Sequence, residues 1–139
     1  MALYKSVVMI SITTRFRGEF IMSGYSKVNV GKEGRVELHD KLSLTGAEVS
    51  INRLPAGAGV PFVHSHKENE EIYGILDGKG EAVIDGENVD LSAGDWMRVA
   101  PAAERQFSAA PDSSITYVCI QVKAGSLGGF TADDAVIKG

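Results

Sequence analysis

Alternating apolar and polar positions recur along most of the chain in short runs, and glycine-rich turns separate them. Such alternation places every second side chain on the same face of a β-strand. The runs repeat at about the eight-to-twelve-residue spacing of a sandwich or barrel, and no stretch between Gly24 and Gly125 keeps a helical period. The pattern therefore predicts an all-β fold with little or no helix. The predicted strands are 27–30, 35–38, 47–54, 71–76, 80–84, 87–91, 95–100 and 115–122.

The first 22 residues stand apart from this pattern. Residues 6–14 are apolar but broken by serine and threonine, charged residues follow, and no small-x-small cleavage site is present, which argues against a signal peptide. We predict a strand here, either an N-terminal arm or an extra edge strand that pairs across a dimer. Alternatively, Met22 is the true start and residues 1–21 are loosely attached. Residues 23–139 are expected to form a single barrel domain.

Composition and charge fit one compact domain: 139 residues, 44% hydrophobic and 23% charged. A net charge of -4 gives no reason to expect nucleic acid or an anionic membrane as a partner. No apolar run approaches the ~20 residues that a membrane-spanning helix requires. The sequence has one cysteine, Cys119, so an internal disulfide is excluded and we expect a cytoplasmic protein in which this thiol is buried.

The run 115–122 has buried-looking residues on both faces. Such a strand is either central in a sandwich or covered by a second subunit. Because two-fold dimers are the commonest closed assemblies, we expect a homodimer.

Two histidines one residue apart, His64 and His66, give the first chemical signal. In an extended strand their side chains share one face, with Cα atoms roughly 6.6 to 6.8 Å apart, so both can reach one ion. If the next strand, from Glu71, pairs beside them, its carboxylate joins the two imidazoles. Glu70 has the opposite parity and would face away. Two imidazoles and a carboxylate suit a divalent transition metal. The alternative is a polar strand face turned to water.

At these residues the chain resembles the cupin superfamily. The first cupin motif has two histidines separated by one residue, then a glutamate and a glycine at the spacing of His64, His66, Glu71 and Gly78. Its leading glycine is matched only loosely, by Gly57 or Gly59. The resemblance implies an antiparallel double-sheet jelly-roll barrel whose mouth holds one metal, of which Zn, Ni, Mn and Fe are the candidates.

Residues 94–107 resemble the second cupin motif less closely, because the spacing from glycine to proline is one residue longer and Ala103 replaces a common glycine. By the resemblance, Gln106 stands at the fourth metal ligand, which is normally histidine. A neutral amide is a poorer ligand, so Gln106 is either a weak ligand or is replaced there by a water. The remaining alternatives are that Gln106 only satisfies barrel hydrogen bonds, or that the barrel has lost its metal.

Parity also indicates which side chains line the cavity. Tyr73 shares the face of Glu71, and Phe62 shares that of His64, so both are expected there. Trp96 and Arg98 share one face of the next motif strand. If that face is inward, Arg98 could hold an anionic substrate while Trp96 stacks on it; if outward, both belong to a polar rim.

The predicted function is a single-domain cupin in which one metal acts on a small oxygen-rich molecule. Three protein ligands leave open positions, which favours dioxygenase-like chemistry. A non-catalytic binding or sensing module is the rival, because the only further acid or base groups in view are Glu70, Glu104 and Tyr73. A sugar isomerase or epimerase is a third alternative. The sequence assigns no catalytic residue, so enzymatic activity stays open.

Overall fold

The computed structural model describes residues 12–16, 19–22 and 24–139. In these ranges one short helix, α1 (His39–Leu42), accompanies a set of β-strands. The strands are β1 (Ile12–Phe16), β2 (Glu19–Met22), β3 (Arg35–Glu37), β4 (Glu48–Leu54), β5 (Asn69–Ile84), β6 (Glu87–Ser92), β7 (Trp96–Val99), β8 (Arg105–Ala109) and β9 (Ile115–Lys123). The all-β class with little helix is therefore confirmed.

Two antiparallel sheets share the long strand β5. In the larger sheet the order is β3-β4-β9-β5, and β7 pairs with the other edge of β5. The C-terminal half of β5 lies between β6 and β8 in the second sheet. Because β9 lies between β4 and β5, it is central in its sheet, which is one of the two arrangements expected from its sequence.

Strand β5 is 16 residues long and replaces the two strands predicted at 71–76 and 80–84. The predicted break at Asp77 and Gly78 is wrong, since the chain continues through an irregularity in the pairing between Ile75 and Asp77. Gly78 has a φ of 79°, and a Cβ there would overlap the Ser114 carbonyl. The glycine therefore bends the strand from one sheet into the other.

Other boundaries also differ from the prediction. Within the described residues, 27–30 form no strand, and the turn expected around His39 is the single-turn helix α1. Strand β8 was not predicted. The histidine segment is not a regular strand either: His64 forms an isolated bridge with Arg105. The predicted turn at Asp85 and Gly86 is confirmed, since it joins β5 to β6 with positive φ at both residues.

The hydrophobic core lies between the two sheets. Three of its aromatic rings pack together: the ring centroids of Tyr73 and Phe107 are 4.2 Å apart, and those of Phe107 and Tyr117 are 5.2 Å apart. Cys119 is buried in the same cluster, as expected for a small hydrophobe. Aliphatic residues from both sheets complete the cluster, among them Ile75, Ala82, Leu91, Val99 and Ile115.

The predicted N-terminal strand falls partly on described residues. Strands β1 and β2 pair with each other as a two-stranded antiparallel sheet. Residues 1–11, 17, 18 and 23 lie outside the described ranges, and pairing of the arm across a dimer stays a prediction. In the described part of the chain, no helix has the length and apolarity needed to cross a membrane.

Candidate metal centre

The histidine segment between β4 and β5 is fixed to β8 and to the loop before it. His64 donates its backbone N–H to the Arg105 carbonyl at 3.1 Å and accepts the Arg105 N–H at 2.9 Å. The backbone N–H of His66 donates to the Pro101 carbonyl at 2.8 Å. These bonds hold both imidazoles at the mouth of the barrel without a regular strand.

Glu71 meets the two imidazoles from β5. Its Oε1 lies 3.6 Å from His64 Nε2 and 3.3 Å from His66 Nε2. One ligand atom from each of the three residues lies within 4.8 Å of the others. The convergence that parity predicted is therefore present in the structure, and the three residues form a group that could hold a metal ion.

The Glu71 carboxylate is almost completely buried, with 2% of the residue exposed, and it accepts three hydrogen bonds. Tyr73 Oη donates to Oε1 at 2.7 Å, Arg105 Nη1 to Oε1 at 2.8 Å, and Cys119 Sγ to Oε2 at 3.0 Å. Burial alone would raise the pKa of Glu71. The hydrogen bonds from Cys119 and Tyr73, with the charges of His66 and Arg105, outweigh it and lower the pKa below its usual value. The group is therefore a carboxylate at neutral pH.

Arg105 is the member of this site that the sequence analysis missed. Its residue exposure is 0%, and Nη2 donates to the Ala100 and Pro101 carbonyls at 2.6 and 3.3 Å. A guanidinium remains charged when buried. It therefore places a permanent positive charge against Glu71, deep in the barrel.

The donor chemistry of the three residues fits a divalent transition metal. His66 Nε2 and His64 Nδ1 are buried and have no hydrogen-bond partner among the described residues, a situation that buried polar atoms rarely tolerate. Burial lowers the pKa of His64, which favours the neutral imidazole that a metal requires. The positive charge of Arg105 would repel a bound cation, but the carboxylate of Glu71 neutralises the charge of Arg105.

Gln106 lines the same cavity as the triad, and its Nε2 donates to the Val60 carbonyl at 2.9 Å. Satisfying a barrel hydrogen bond is one of the roles expected for it, and its role as a fourth ligand stays a prediction. Of the residues expected to contact substrate, Tyr73 and Phe62 both line the cavity. Phe62 is 57% exposed and its ring packs edge-on against His64.

Trp96 and Arg98 lie on the outer face of the larger sheet and do not line this cavity, so the outward alternative describes them. Trp96 is 60% exposed, and its ring covers Gly74 on the neighbouring strand. Arg98 forms an ion pair with Glu70, which faces outward as its parity predicted. The structure thus separates these two residues from the triad.

The cavity has a volume of about 510 Å³, within the usual range for small-molecule sites. The triad and Gln121 form one end, and Arg35, Glu37 and Asn52 line the other. Apolar residues also line the cavity, among them Leu54, Val60, Phe107 and Tyr117. The sequence analysis did not identify these polar residues of β3 and β4 as cavity-lining residues, because the alternation along the two strands does not show which face of the sheet lines the cavity.

Comparisons with known proteins bear on both the fold and the family. A cupin protein from Bacteroides fragilis has a crystal structure similar to this chain, with 67% sequence identity and a TM-score of 0.82, covering 84% of this chain and 99% of that one. A sugar phosphate isomerase of the cupin superfamily from Silicibacter pomeroyi shares 24% identity at a TM-score of 0.57, over 66% of this chain and 60% of that one.

The cupin domain of Schizosaccharomyces pombe Cnp3 shares 15% identity at a TM-score of 0.59, over 86% of each chain. At this identity, as for the isomerase, the likeness concerns the fold alone. No curated protein matches the chain. The family model for the cupin domain matches residues 50–121, which contain the triad, Arg105 and Cys119. With that match and the relative from Bacteroides fragilis, the chain belongs to the cupin family.

Proposed function

We propose that this cupin binds one divalent transition metal through His64, His66 and Glu71, and that the metal-bearing cavity takes a small oxygen-rich molecule. The observation that supports it is the convergence of the His64 and His66 Nε2 atoms on the buried Glu71 carboxylate, where His66 Nε2 is buried without a hydrogen-bond partner among the described residues. When bound there, such a metal supplies Lewis acidity and open positions for an oxygen ligand. Its identity, among Zn, Ni, Mn and Fe, stays undecided.

The residues around the triad orient its carboxylate. Tyr73 and Arg105 both bond Glu71 Oε1, and Cys119 bonds Oε2, so the carboxylate has little freedom to rotate. Burial also raises the pKa of Tyr73 and of Cys119 above their usual values, so both stay protonated donors. Such fixed outer partners are what a metal-ligating carboxylate needs.

For the chemistry, we propose dioxygenase-like reactivity, since three protein ligands leave positions for substrate and dioxygen. The rival function is a non-catalytic binding module. This rival gains support because none of the candidate acid and base groups is free to act on a ligand in the cavity. Glu70 is paired with Arg98 on the outside, Glu104 is exposed, and the Tyr73 hydroxyl is committed to Glu71. An isomerase or epimerase needs a base that moves a proton, so it has less support here.

Element-resolved metal analysis tests the metal centre. The protein is purified without chelators and without a nickel column, together with His64→Ala, His66→Ala and His39→Ala. His39 is the matched control, since its half-exposed side chain bonds Asp40 far along the chain from the triad. We expect about one metal per chain in wild type and His39→Ala, and a loss in the other two. Equal metal content in all four proteins would remove the ligand assignment.

Oxygen uptake separates the enzyme from the binding module. Metal-loaded protein is mixed with a panel of diols, thiols and keto acids, and uptake is compared with that of His66→Ala. Uptake that depends on His66 supports the dioxygenase. If a panel member binds by calorimetry without consuming oxygen, the binding module is favoured.

A further inference from the structure

The cavity has a second polar end, built on β3 and β4. Arg35 and Asn52 are cross-strand partners, and Arg35 Nη1 donates to Asn52 Oδ1 at 2.5 Å. Asn52 is only 4% exposed, and its Nδ2 donates to Ser50 Oγ at 3.0 Å. A buried amide thus holds the guanidinium at the cavity wall. Arg35 was not among the candidate site residues from sequence.

Arg35 has donors to spare for an anion. Nε and Nη2 donate to Glu37 Oε1 at 3.2 and 2.9 Å, so the observed bonds use three of the five N–H groups that a guanidinium has. The Glu37 side chain is 63% exposed, and an exposed ion pair of this kind contributes only about 0–1 kcal/mol. A ligand carboxylate can therefore take the place of Glu37 at little cost, with two parallel N–H donors available.

The two polar ends are offset both across and along the strands. Strands β4 and β9 lie between β3 and β5, and the register places Arg35 level with Ile75, four residues along β5 from Glu71. Arg35 and Glu71 therefore start roughly 14 Å apart across the strands and roughly 13 Å apart along them. The long Arg35 side chain reaches in from one side and the imidazoles from the other. In the same register, the lining residues Tyr73 and Cys119 lie between the two ends, so a ligand that reaches both ends passes an aromatic ring.

The wall between the ends is aromatic and apolar. Phe107 and Tyr117 stack with an interplanar angle of 23°, and Tyr73 packs against Phe107. Leu54 and Val60 complete this part of the lining. A flat aromatic ring can make offset-stacked or edge-to-face contacts with such a wall, which a saturated chain cannot make.

We propose that the cavity binds a hydroxylated aromatic carboxylic acid. Its carboxylate lies on Arg35, its ring lies against the aromatic wall, and its hydroxyl oxygen points to His64, His66 and Glu71. The assignment of the hydroxyl end depends on the proposed metal centre, whereas the assignment of the carboxylate end depends only on residues of β3 and β4. This gives Arg35 the anion-binding role that sequence parity had offered to Arg98.

The test is calorimetric titration of metal-loaded protein with 4-hydroxybenzoate. Three analogues each remove one feature: 4-hydroxybenzamide the carboxylate, benzoate the hydroxyl, and 4-hydroxycyclohexanecarboxylate the flat ring. We expect 4-hydroxybenzoate to bind most tightly. Loss of the carboxylate should weaken binding about 10- to 100-fold, as expected for charge-assisted hydrogen bonds. Equal affinity for 4-hydroxybenzoate and 4-hydroxybenzamide overturns the proposal.

Arg35→Gln provides the matched mutational test, with Arg98→Gln as its control. Arg98 is an exposed guanidinium paired with a glutamate, like Arg35, but on the outer face. We expect Arg35→Gln to weaken 4-hydroxybenzoate binding at least about 10-fold and to change 4-hydroxybenzamide binding little. Unchanged binding in Arg35→Gln means that the carboxylate lies elsewhere, and it overturns the proposal.

Metal content separates this proposal from the proposed function. If Arg35→Gln keeps its metal and still binds 4-hydroxybenzoate as tightly as wild type, the metal centre stands and the substrate assignment fails. If the protein holds no metal, yet 4-hydroxybenzoate binds it more tightly than benzoate in an Arg35-dependent way, the assignment stands and the metal centre fails.

Discussion

Glu71 Oε1 lies close to the Nε2 atoms of two imidazoles and also accepts a hydrogen bond from a fully buried guanidinium, so one carboxylate serves both the candidate metal site and a buried ion pair. Removing one partner of a buried ion pair leaves the other charge without compensation, which costs more than the pair itself contributes. Arg105 cannot lose its charge to escape this cost. The carboxylate is therefore a structural requirement of the barrel, whether or not a metal is bound.

Replacement of Glu71 by alanine should lower the free energy of unfolding by about 3–5 kcal/mol, because Arg105 then stays buried and unpaired. Glu70→Ala is the matched control, since Glu70 is the neighbouring residue and its partner Arg98 is exposed. For that variant we expect a loss of about 0–1 kcal/mol. Urea denaturation followed by circular dichroism measures both. Equal losses would contradict a structural role for the Glu71–Arg105 pair.

Acid should destabilise the metal-free protein in two stages. Burial lowers the pKa of His64 below the usual 6.5, so the unfolded chain takes up a proton first and stability declines as pH falls below 6.5. The pKa of Glu71 is also lowered in the fold, from 4.5, so a second loss begins below that value. Well above pH 6.5, His64 is neutral in both the folded and the unfolded chain and costs nothing, and the contribution of Glu71 is fully present.

Urea midpoints of metal-free wild type and His64→Gln, measured from about pH 7 to pH 5, test the first stage. The variant lacks the titrating imidazole, so its stability should fall less steeply over this window. Parallel curves for wild type and His64→Gln would show that His64 does not couple folding to protons.

At the residue scale, the sequence located the triad but not the charge beside it. The period of two in strands, together with the cupin resemblance, was enough for His64, His66 and Glu71. Arg105 and Gln106 differ by one position, and a shift of one residue exchanges the two faces of a strand. The resemblance to the second cupin motif pointed to Gln106, whereas Arg105 is the residue that contacts Glu71.

At the scale of elements, β8 shows why one strand was missed. Its buried positions are Arg105, Phe107 and Ala109, and half-buried Gln106 and Ser108 alternate with them. An arginine on the inner face breaks the correspondence between polarity and exposure on which alternation depends. By contrast, β6 keeps that correspondence, with Leu91 buried and its charged residues exposed. The predicted bounds of β4, β6 and β9 all agree with the structure to within one residue.

The close contact between β5 and its neighbours predicts a steric effect at Gly80. A Cβ at this position would overlap the Ser108 carbonyl oxygen and would lie 2.9 Å from Ile115 Cδ1. Gly80→Ala should therefore destabilise the protein by about 1–3 kcal/mol, the usual cost of overpacking. Gly46→Ala is the control, because nothing lies within 4 Å of a Cβ there. Thermal unfolding of both variants measures the difference, and similar melting temperatures would contradict it.

At the scale of the whole molecule, the two faces of β9 differ. Tyr117 and Cys119 belong to the core, whereas Ile120 and Val122 on the opposite face stay half-buried in one chain. The homodimer stays a prediction, and light scattering should give a mass of about twice 14.8 kDa. A mass equal to one chain would contradict it.

The metal centre joins segments that are distant in sequence: the histidine segment, β5, β8 through Arg105, and β9 through Cys119. A ligand that binds the folded chain alone stabilises all of it, by about 2.7 kcal/mol at one hundred times its dissociation constant. Zinc added to metal-free protein should therefore raise the melting temperature of the whole barrel in one transition. Nickel, manganese and iron(II) at equal concentration rank the site's preference.

The same titration separates the triad from adventitious metal binding. His64→Ala and His66→Ala should lose the rise in melting temperature, whereas His39→Ala should keep it, because His39 lies on α1 and bonds Asp40. A rise of equal size in all three variants would place the metal away from the triad. If the melting temperature of wild type rises with metal and that rise is lost only in the two triad variants, His64 and His66 hold the ion that stabilises the entire barrel.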